Sequence, residues 1–187
     1  PVAETVQAMS EEVDAGRARM IGFSNHTATQ LEESLKASKS GGFRPYEIAQ
    51  LRYNLLMREM EPEVFPLCQR EGITVCAYSP IGAGFLTGKY APDRSQIPSN
   101  SRFSITPMHA DEYLTDRSFR VLDLLREKSS ETGVSLIRLA MAWTMSHPAI
   151  TTILVGARDP AHIDNALEAY KMGMDPELRA EMSAWGD

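Results

Sequence analysis

The chain has 187 residues, of which 43% are hydrophobic and 24% are charged, and its formal net charge is -6. This length and composition are typical of one folded domain, or of a piece of a larger one, and they exclude a disordered chain. The negative charge argues against a protein that binds nucleic acid or an anionic membrane surface through its own charge.

The two cysteines, Cys68 and Cys76, lie within apolar patterns and do not form a C-x-x-C pair. Such cysteines are typical of buried structural thiols rather than of nucleophiles or metal ligands. The sequence has no signal peptide and no run of eighteen apolar residues, so we expect no membrane-spanning helix. A reducing cytoplasm is the expected location.

Apolar spacing predicts strands that alternate with helices along the whole chain. Polar or glycine-rich residues follow each strand, and they gather at one edge if the strands are parallel. The predicted strands are residues 17–25, 46–54, 73–78 and 150–158. The predicted helices are residues 1–15, 27–42, 61–71, 115–133, 135–148, 159–169 and 175–187.

The most informative stretch is residues 73–90, which reads ITVCAYSPIGAGFLTGKY. A β-rich run ends at Pro80, and a loop with three glycines and then Lys89 follows. Glycine lets the backbone approach a ligand closely, and lysine is a point charge suited to phosphate, so the pattern predicts a phosphate site. The glycine spacing and Tyr90 fit neither a P-loop nor a Rossmann fingerprint. The alternative is a glycine-rich loop that only turns the chain.

Two further segments carry candidate ligand contacts. Residues 91–115 are rich in Pro, Ser, Asn and Asp without a period, which predicts a long irregular loop. Arg102 in this loop is either a ligand contact or a solvated arginine. Residues 150–158 are hydrophobic and β-branched, as in a strand buried on both faces, and they end in Gly156 and Arg158. The helix that follows offers an N-terminus that favours anions.

Four strands that are each followed by a helix amount to half of a (β/α)₈ barrel, because the complete barrel needs about 250 residues. A complete α/β sheet domain is the competing interpretation. In the barrel, the active site is built from the loops at the carboxyl ends of the strands, which is where the candidate residues of this chain fall.

Four blocks in order carry a resemblance to a known family: GRARMIGFSN, QLRYNLLMREMEPEVFPLCQREGI, AYSPIGAGFLTGKY and SLIRLAMAWTMSHPAITTILVGAR. They resemble the second half of an aldo-keto reductase, in the branch shared with bacterial reductases and potassium-channel β subunits. The resemblance implies that residues 1–187 are the C-terminal half of a single TIM-type barrel, with 91–115 as a loop within it. It also implies NADP(H) binding and the reduction of aldehydes or ketones by hydride transfer in the complete enzyme.

The resemblance implies roles for particular residues. The nicotinamide carboxamide is implied to contact Ser24, Asn25 and Gln50, and the nicotinamide ring is implied to stack on Tyr78. The pyrophosphate loop, with its flanking proline, is implied for Ser79, Pro80, Ile81, Gly84 and Lys89. The adenosine 2′-phosphate is implied to contact Gly156 and Arg158. Asn165 aligns near the adenine, although His162 and Ala166 depart from the family pattern.

The family's catalytic tetrad is an Asp, a Tyr that acts as the general acid, a Lys and a His, and it lies on the first four strands of the barrel. No histidine or tyrosine of this chain occupies a matching position, so we assign no catalytic residue and expect the chain alone to be inactive. We expect a missing N-terminal half or a second copy to close the sheet. The alternatives are a nucleotide-sensing regulatory subunit without catalysis and a half-barrel that pairs with itself.

Overall fold

The computed structural model describes residues 1–186, which form two compact units. Unit 1 comprises Pro1–Leu51, Glu59–Ala77 and Pro148–Thr152. Unit 2 comprises Arg52–Arg58, Tyr78–His147 and the described residues from Ile153 to 186. The chain passes repeatedly from one unit to the other, so each unit is assembled from segments that are distant in sequence.

Four parallel strands alternate with helices in the described residues. The strands are β1 (Gly22–Ser24), β2 (Ile48–Arg52), β3 (Thr74–Tyr78) and β4 (Ile150–Ile153). Their order in the sheet is β1-β2-β3-β4, so each strand lies beside its neighbour in the sequence, as successive βαβ units require. β1 pairs with β2 in a register that sets Ser24 opposite Gln50.

The helices begin where the sequence supplies capping side chains. Thr27, Thr115, Ser135, Asp159 and Asp175 each accept a hydrogen bond from a backbone N–H of the first helical turn, which confirms the predicted starts. The helices are α1 (Val2–Asp14), α2 (Ala28–Gly41), α3 (Val64–Glu71), α4 (Arg102–Ile105), α5 (Met108–Tyr113), α6 (Asp116–Thr132), α7 (Leu136–Met145), α8 (Pro160–Met172) and α9 (Pro176–Ser183).

The core of unit 1 lies between the strands and the helices that connect them. Small and branched residues of the central strands are fully buried, including Ala49, Leu51 and Val75. Helix α1 packs against α2, and the Ser10 hydroxyl accepts a hydrogen bond from the Arg44 N–H at 3.0 Å. The alternating burial along β2 and β3 therefore places their apolar side chains inward.

Aromatic side chains dominate the core of unit 2. Trp143 is fully buried, its ring stacks on Tyr53 with the centroids 5.1 Å apart, and its indole N–H donates to the Ser183 hydroxyl at 3.1 Å. The rings of Tyr90 and Phe103 stack with a centroid distance of 3.8 Å. These contacts tie segments from both ends of the unit's sequence together.

Some predicted boundaries differ from the structure. The strand predicted at 17–25 contains only Gly22–Ser24, and the strand predicted at 150–158 ends at Ile153. The predicted burial of this last strand on both faces is wrong, because Thr151 and Thr152 are exposed. β4 lies at the edge of the sheet and has a single neighbouring strand.

Residues 91–115, which the sequence predicted as an irregular loop, contain α4 and α5. Ser101 caps α4 by accepting a hydrogen bond from the Ser104 N–H, and each short helix buries one aromatic ring, Phe103 or Tyr113. A single buried ring in four to six residues gives no helical period, so apolar spacing could not reveal these helices.

We expect the substitution Trp143→Ala to lower the free energy of unfolding by about 3–5 kcal/mol, because it removes a fully buried ring and leaves a cavity. Urea titration followed by circular dichroism measures this loss. The matched control is Leu124→Ala in α6, whose side chain is partly exposed and whose loss should cost about 0.5 kcal/mol or less. Equal losses for the two variants would contradict the described core.

The structure buries Cys68 completely, and this burial raises the pKa of its thiol from 9.0 to about 11. Because the thiolate is the reactive form, a raised pKa lowers its population at pH 8 by roughly 100-fold. In a Cys76→Ala variant, we expect Cys68 to react with a disulfide reagent at a rate that still rises about tenfold per pH unit between pH 8 and 10. The same variant unfolded in urea is the control, and its rate should level off above pH 9. If the rate of the folded variant also levels off above pH 9, the raised pKa of Cys68 is contradicted.

Candidate functional site

Unit 1 places Ser24 and Asn25 at the carboxyl end of β1, with Ser24 opposite Gln50 in the middle of β2. The Ser24 hydroxyl donates to the backbone carbonyl of Gln50 at 2.9 Å. Asn25 has a φ of 55°, the left-handed conformation that asparagine adopts more readily than most residues. The side chains of Asn25 and Gln50 are exposed. This part of unit 1 therefore presents two amide side chains, which both donate and accept hydrogen bonds.

His26 follows these residues, and the sequence did not assign it a role. Its ring lies 4.8 Å from the ring of Phe23 and 6.0 Å from that of Tyr46, and its Nδ1 lies 3.4 Å from the Ser24 carbonyl oxygen. Burial raises the pKa of Tyr46. The three rings support the turn at Asn25, and an aromatic residue directly after the polar pair was the signal available in the sequence.

The loop after β3 in unit 2 has an unusual main chain. Ser79 has a φ of 56° and Ala83 a φ of 52°, and both are residues for which the left-handed conformation is costly. Gly82 and Gly84 are also left-handed, so three consecutive residues, 82 to 84, share this conformation. Within this loop the Gly82 N–H donates to the Ser79 carbonyl at 2.9 Å and the Gly84 N–H donates to the Ile81 carbonyl at 3.1 Å, so the backbone of the loop closes the turn itself.

Lys89 lies over this glycine backbone. A Cβ added at Gly84 would lie 3.2 Å from the Lys89 Nζ, so glycine leaves the space in which the ammonium group sits. The same Nζ lies 5.1 Å from the centroid of the Tyr90 ring, a cation–π distance. The structure therefore places an exposed positive charge beside a backbone that carries no side chain at Gly84.

Tyr78, Ser79, Pro80 and Ile81 lead into this loop. The Tyr78 carbonyl accepts a hydrogen bond from the Tyr53 N–H at 3.2 Å, and the Ser79 carbonyl accepts from the Gly82 N–H at 2.9 Å. Pro80 is buried, whereas the side chains of Tyr78, Ser79 and Ile81 are half-buried. Ser79, Pro80 and Ile81 therefore lie in one tight turn that ends at Gly82, and Gly84 and Lys89 follow it in the same segment of unit 2.

Arg158 and the segment that contains Arg102 lie close together in unit 2. The Arg158 guanidinium donates to the Asn100 carbonyl at 3.4 Å, and Arg102 begins α4 two residues later. Both arginine side chains are exposed. Nothing among the described residues lies within 4 Å of a Cβ added at Gly156, so packing in unit 2 does not demand glycine there.

The start of α8 is less open than the sequence predicted. The Asp159 carboxylate accepts a hydrogen bond from the Ala161 N–H at 2.8 Å and so contributes its own negative charge at the helix start. Asn165 is also engaged, because its Oδ1 accepts from the Arg138 Nε at 3.1 Å and its Nδ2 donates to the Ala161 carbonyl at 2.9 Å. The adenine contact of Asn165 stays a prediction.

Other features of the described residues do not point to a second kind of site. A surface groove of about 480 Å³ in unit 1 contains none of the predicted site residues; it is lined by Leu35, Lys36, Ser38, Lys39, Phe43, Pro45 and Glu71. Within residues 1–186, no group of three His, Cys, Asp or Glu side chains is placed to bind a metal ion. No helix in that range has the length and apolarity needed to cross a membrane.

Comparison with known proteins identifies relatives of the chain. A family model described as "Aldo/keto reductase family" matches residues 1–185. A probable voltage-gated potassium channel subunit beta from Oryza sativa subsp. japonica is 35% identical over 90% of this chain and 52% of the relative. An NADH-specific methylglyoxal reductase from Escherichia coli (strain K12) is 30% identical over 98% of this chain and 54% of the relative.

The same half-length match appears in structure. The fold superposes on a crystal structure of a thermostable aldo-keto reductase in complex with the inhibitor epalrestat, with a TM-score of 0.70 and 24% sequence identity. The match covers 100% of this chain and 55% of that one. The chain thus spans about half the length of the two relatives named above and of this structure.

Proposed function

Because the chain belongs to the aldo/keto reductase family, we propose that it supplies the cofactor-binding half of an NADP(H)-dependent oxidoreductase that reduces aldehydes or ketones to alcohols. The observation that carries this proposal is the position of the Lys89 ammonium over the backbone of Gly84, at the exit of β3. A dinucleotide is recognised chiefly through its phosphates, so the proposal begins with the groups that bind anions.

The loop from Ser79 to Lys89 fits a pyrophosphate group. Glycine at 84 lets the Lys89 ammonium lie next to the main chain, since an added Cβ there would be 3.2 Å from the Lys89 Nζ. Lys89, whose side chain is exposed, supplies a full positive charge beside this turn. In the proposed complex, Lys89 neutralises the pyrophosphate while Ser79, Pro80 and Ile81 shape the turn that receives it.

Arg158 and Arg102 are proposed to contact the 2′-phosphate that distinguishes NADP(H) from NAD(H). A guanidinium group binds phosphate oxygens in a bidentate manner, and both side chains are exposed in unit 2. Gly156, two residues before Arg158, carries no side chain. Family membership alone does not decide the cofactor, because one named relative is described as NADH-specific.

We propose that Ser24, Asn25 and Gln50 of unit 1 contact the nicotinamide carboxamide, and, separately, that Tyr78 of unit 2 stacks on the nicotinamide ring. The exposed amides of Asn25 and Gln50 match a carboxamide, since each can donate and accept a hydrogen bond. Ser24 fixes this pair through its bond to the Gln50 carbonyl, and Tyr78 offers an aromatic face for the ring. Asn165 is proposed near the adenine, where binding would require a change in its contact with Arg138.

When bound, the nicotinamide supplies a hydride to the carbonyl carbon of a small-molecule substrate. The residues of this chain hold and orient the cofactor. The proton that the carbonyl oxygen needs is proposed to come from a Tyr–Lys pair outside this chain, and we therefore propose that the chain alone is inactive.

An exposed apolar face of α8 supports the need for further polypeptide. Ile163, Leu167 and Tyr170 lie at helical spacing on this helix, and Tyr170 is 74% exposed. We propose that the first four β/α units of the barrel cover this face, since the named relatives are about twice as long as the matched region. A second copy of the chain is the alternative partner, and the mass of the assembly in solution separates the two.

A nucleotide-sensing regulatory subunit is the second candidate function. The observation that favours it is the 35% identity to a probable potassium channel β subunit. Both candidate functions include nucleotide binding, so turnover is the property that distinguishes them. Oxidation of NADPH with a reactive aldehyde, measured on the complete protein, supports the reductase, whereas tight NADPH binding without turnover supports the sensor.

Replacing Arg158 by Met tests the cofactor proposal. We expect the dissociation constant for NADPH to rise roughly 10- to 100-fold, because one charge-assisted contact to a phosphate is lost. The constant for NADH should stay within about twofold, since NADH lacks that phosphate. Fluorescence titration measures both constants.

The matched control is Arg120→Met, which removes an exposed arginine from α6 in the same unit. It should leave both constants unchanged. Equal weakening of NADPH and NADH by Arg158→Met would contradict the proposed 2′-phosphate contact. Equal weakening of NADPH by the two variants would show that general charge, rather than a site, accounts for binding.

A further inference from the structure

Asn54 is a buried amide with four hydrogen-bond partners. Its side chain is 0% exposed, and its Oδ1 accepts hydrogen bonds from the backbone N–H groups of Leu56 at 2.9 Å and Met57 at 3.1 Å. Its Nδ2 donates to the Ser79 carbonyl at 3.0 Å and lies 3.4 Å from the Tyr113 hydroxyl. The amide therefore uses both lone pairs and both protons, which is the full capacity of an Asn side chain.

The Ser79 carbonyl belongs to a strained part of the proposed cofactor loop. Ser79 is a non-glycine residue with a φ of 56°, a conformation that persists only where surrounding contacts impose it. The Tyr53 N–H holds the preceding carbonyl, that of Tyr78, at 3.2 Å. Two successive residues after β2, Tyr53 and Asn54, thus donate to the carbonyls of Tyr78 and Ser79 at the end of β3.

Asn54 also connects the loop to α5. Tyr113, at the end of α5, sets its ring against Gly82, where an added Cβ would lie 3.1 Å from the ring. The Arg52 guanidinium pairs with the Glu112 carboxylate of the same helix at 3.0 Å. The exit of β2 therefore contacts both the start of the loop and the helix that covers Gly82.

We propose that Asn54 is a positioning residue for cofactor binding, which holds the left-handed turn at Ser79 so that the following backbone and Lys89 face the dinucleotide phosphates. The inference rests on the proposed function of this loop. An apolar side chain of similar size fills the same space but removes one of the two hydrogen bonds to the Ser79 carbonyl and the side-chain acceptor of the Leu56 N–H. An aspartate accepts from the N–H groups but cannot donate to the carbonyl.

The first test compares Asn54→Asp and Asn54→Ser with the parent protein in affinity for NADPH. Asp keeps the shape and loses the donors, whereas Ser is uncharged and too short to reach the Ser79 carbonyl. We expect both variants to raise the dissociation constant roughly tenfold, through loss of one buried hydrogen bond that shapes the site. The Ser variant keeps the test valid if the Asp variant does not fold.

The matched control is Thr144→Val in α7 of the same unit. The Thr144 hydroxyl is equally buried and donates to the Ala140 carbonyl at 3.0 Å, away from the loop. It should lower the melting temperature while leaving the NADPH constant within about twofold. If the Asn54 variants weaken NADPH binding no more than the control does at an equal loss of melting temperature, Asn54 acts through stability alone and the proposal is wrong.

A second experiment repeats the Asn54→Ser substitution in a protein that carries Ser79→Gly, and so tests the role of the strained turn. Glycine adopts a φ of 56° without support, so the Ser79→Gly substitution should make the loop less dependent on Asn54. We expect Asn54→Ser to weaken NADPH binding by a smaller factor in the Ser79→Gly protein than in the parent. The same factor in both backgrounds would show that the two residues act independently and would overturn the proposal.

Hydrogen exchange separates this proposal from the proposed function. Faster exchange of the amides of residues 79–88 in Asn54→Ser, but not in Thr144→Val, is expected whether or not nucleotide is present. A parent protein that fails to bind NADPH refutes the function, and the exchange result then decides whether Asn54 holds the turn. Unchanged exchange in the Asn54 variant refutes the positioning role even if NADPH binds.

Discussion

The left-handed turn at Ser79 is the constraint on which the candidate site depends. A serine with a φ of 56° does not hold this conformation by itself, and two hydrogen bonds to its carbonyl, from Asn54 and from Gly82, fix it. The turn sets the direction of residues 82 to 84, and these leave the space that the Lys89 ammonium occupies. The strained turn at Ser79, the buried Asn54 amide and Lys89 thus form one connected arrangement.

Exposed positive side chains in unit 2 are available for the proposed phosphate contacts. The chain as a whole is negative, yet Lys89, Arg102 and Arg158 present their positive groups on exposed positions of unit 2. Asn165 shows the opposite case, because its amide is already paired with Arg138 and Ala161. The three positive side chains proposed to bind phosphate therefore have no carboxylate partner among the described residues. Asn165, which is proposed to lie near the adenine, must exchange its present partners in order to bind it.

Much of the fold follows from local signals in the sequence. Caps such as Thr115 and Ser135 mark helix starts because their side chains satisfy backbone N–H groups next to them in sequence. Features that depend on distant segments could not be predicted. The burial of Asn54 requires Ser79 and Tyr113, and the short helices α4 and α5 are stabilised by rings that stack across the unit. The sequence showed that a polar residue follows β2, but it did not show that this residue donates a hydrogen bond to the Ser79 carbonyl.

The central claim is that the loop from Ser79 to Lys89 binds the phosphates of a dinucleotide. Hydrogen–deuterium exchange of the complete protein with and without saturating NADPH tests it most directly. The account predicts slower exchange of the amides between Ser79 and Lys89 on binding, with no change in α1, Val2–Asp14. Binding of NADPH that leaves exchange in this loop unchanged would contradict the claim, as would the absence of any binding.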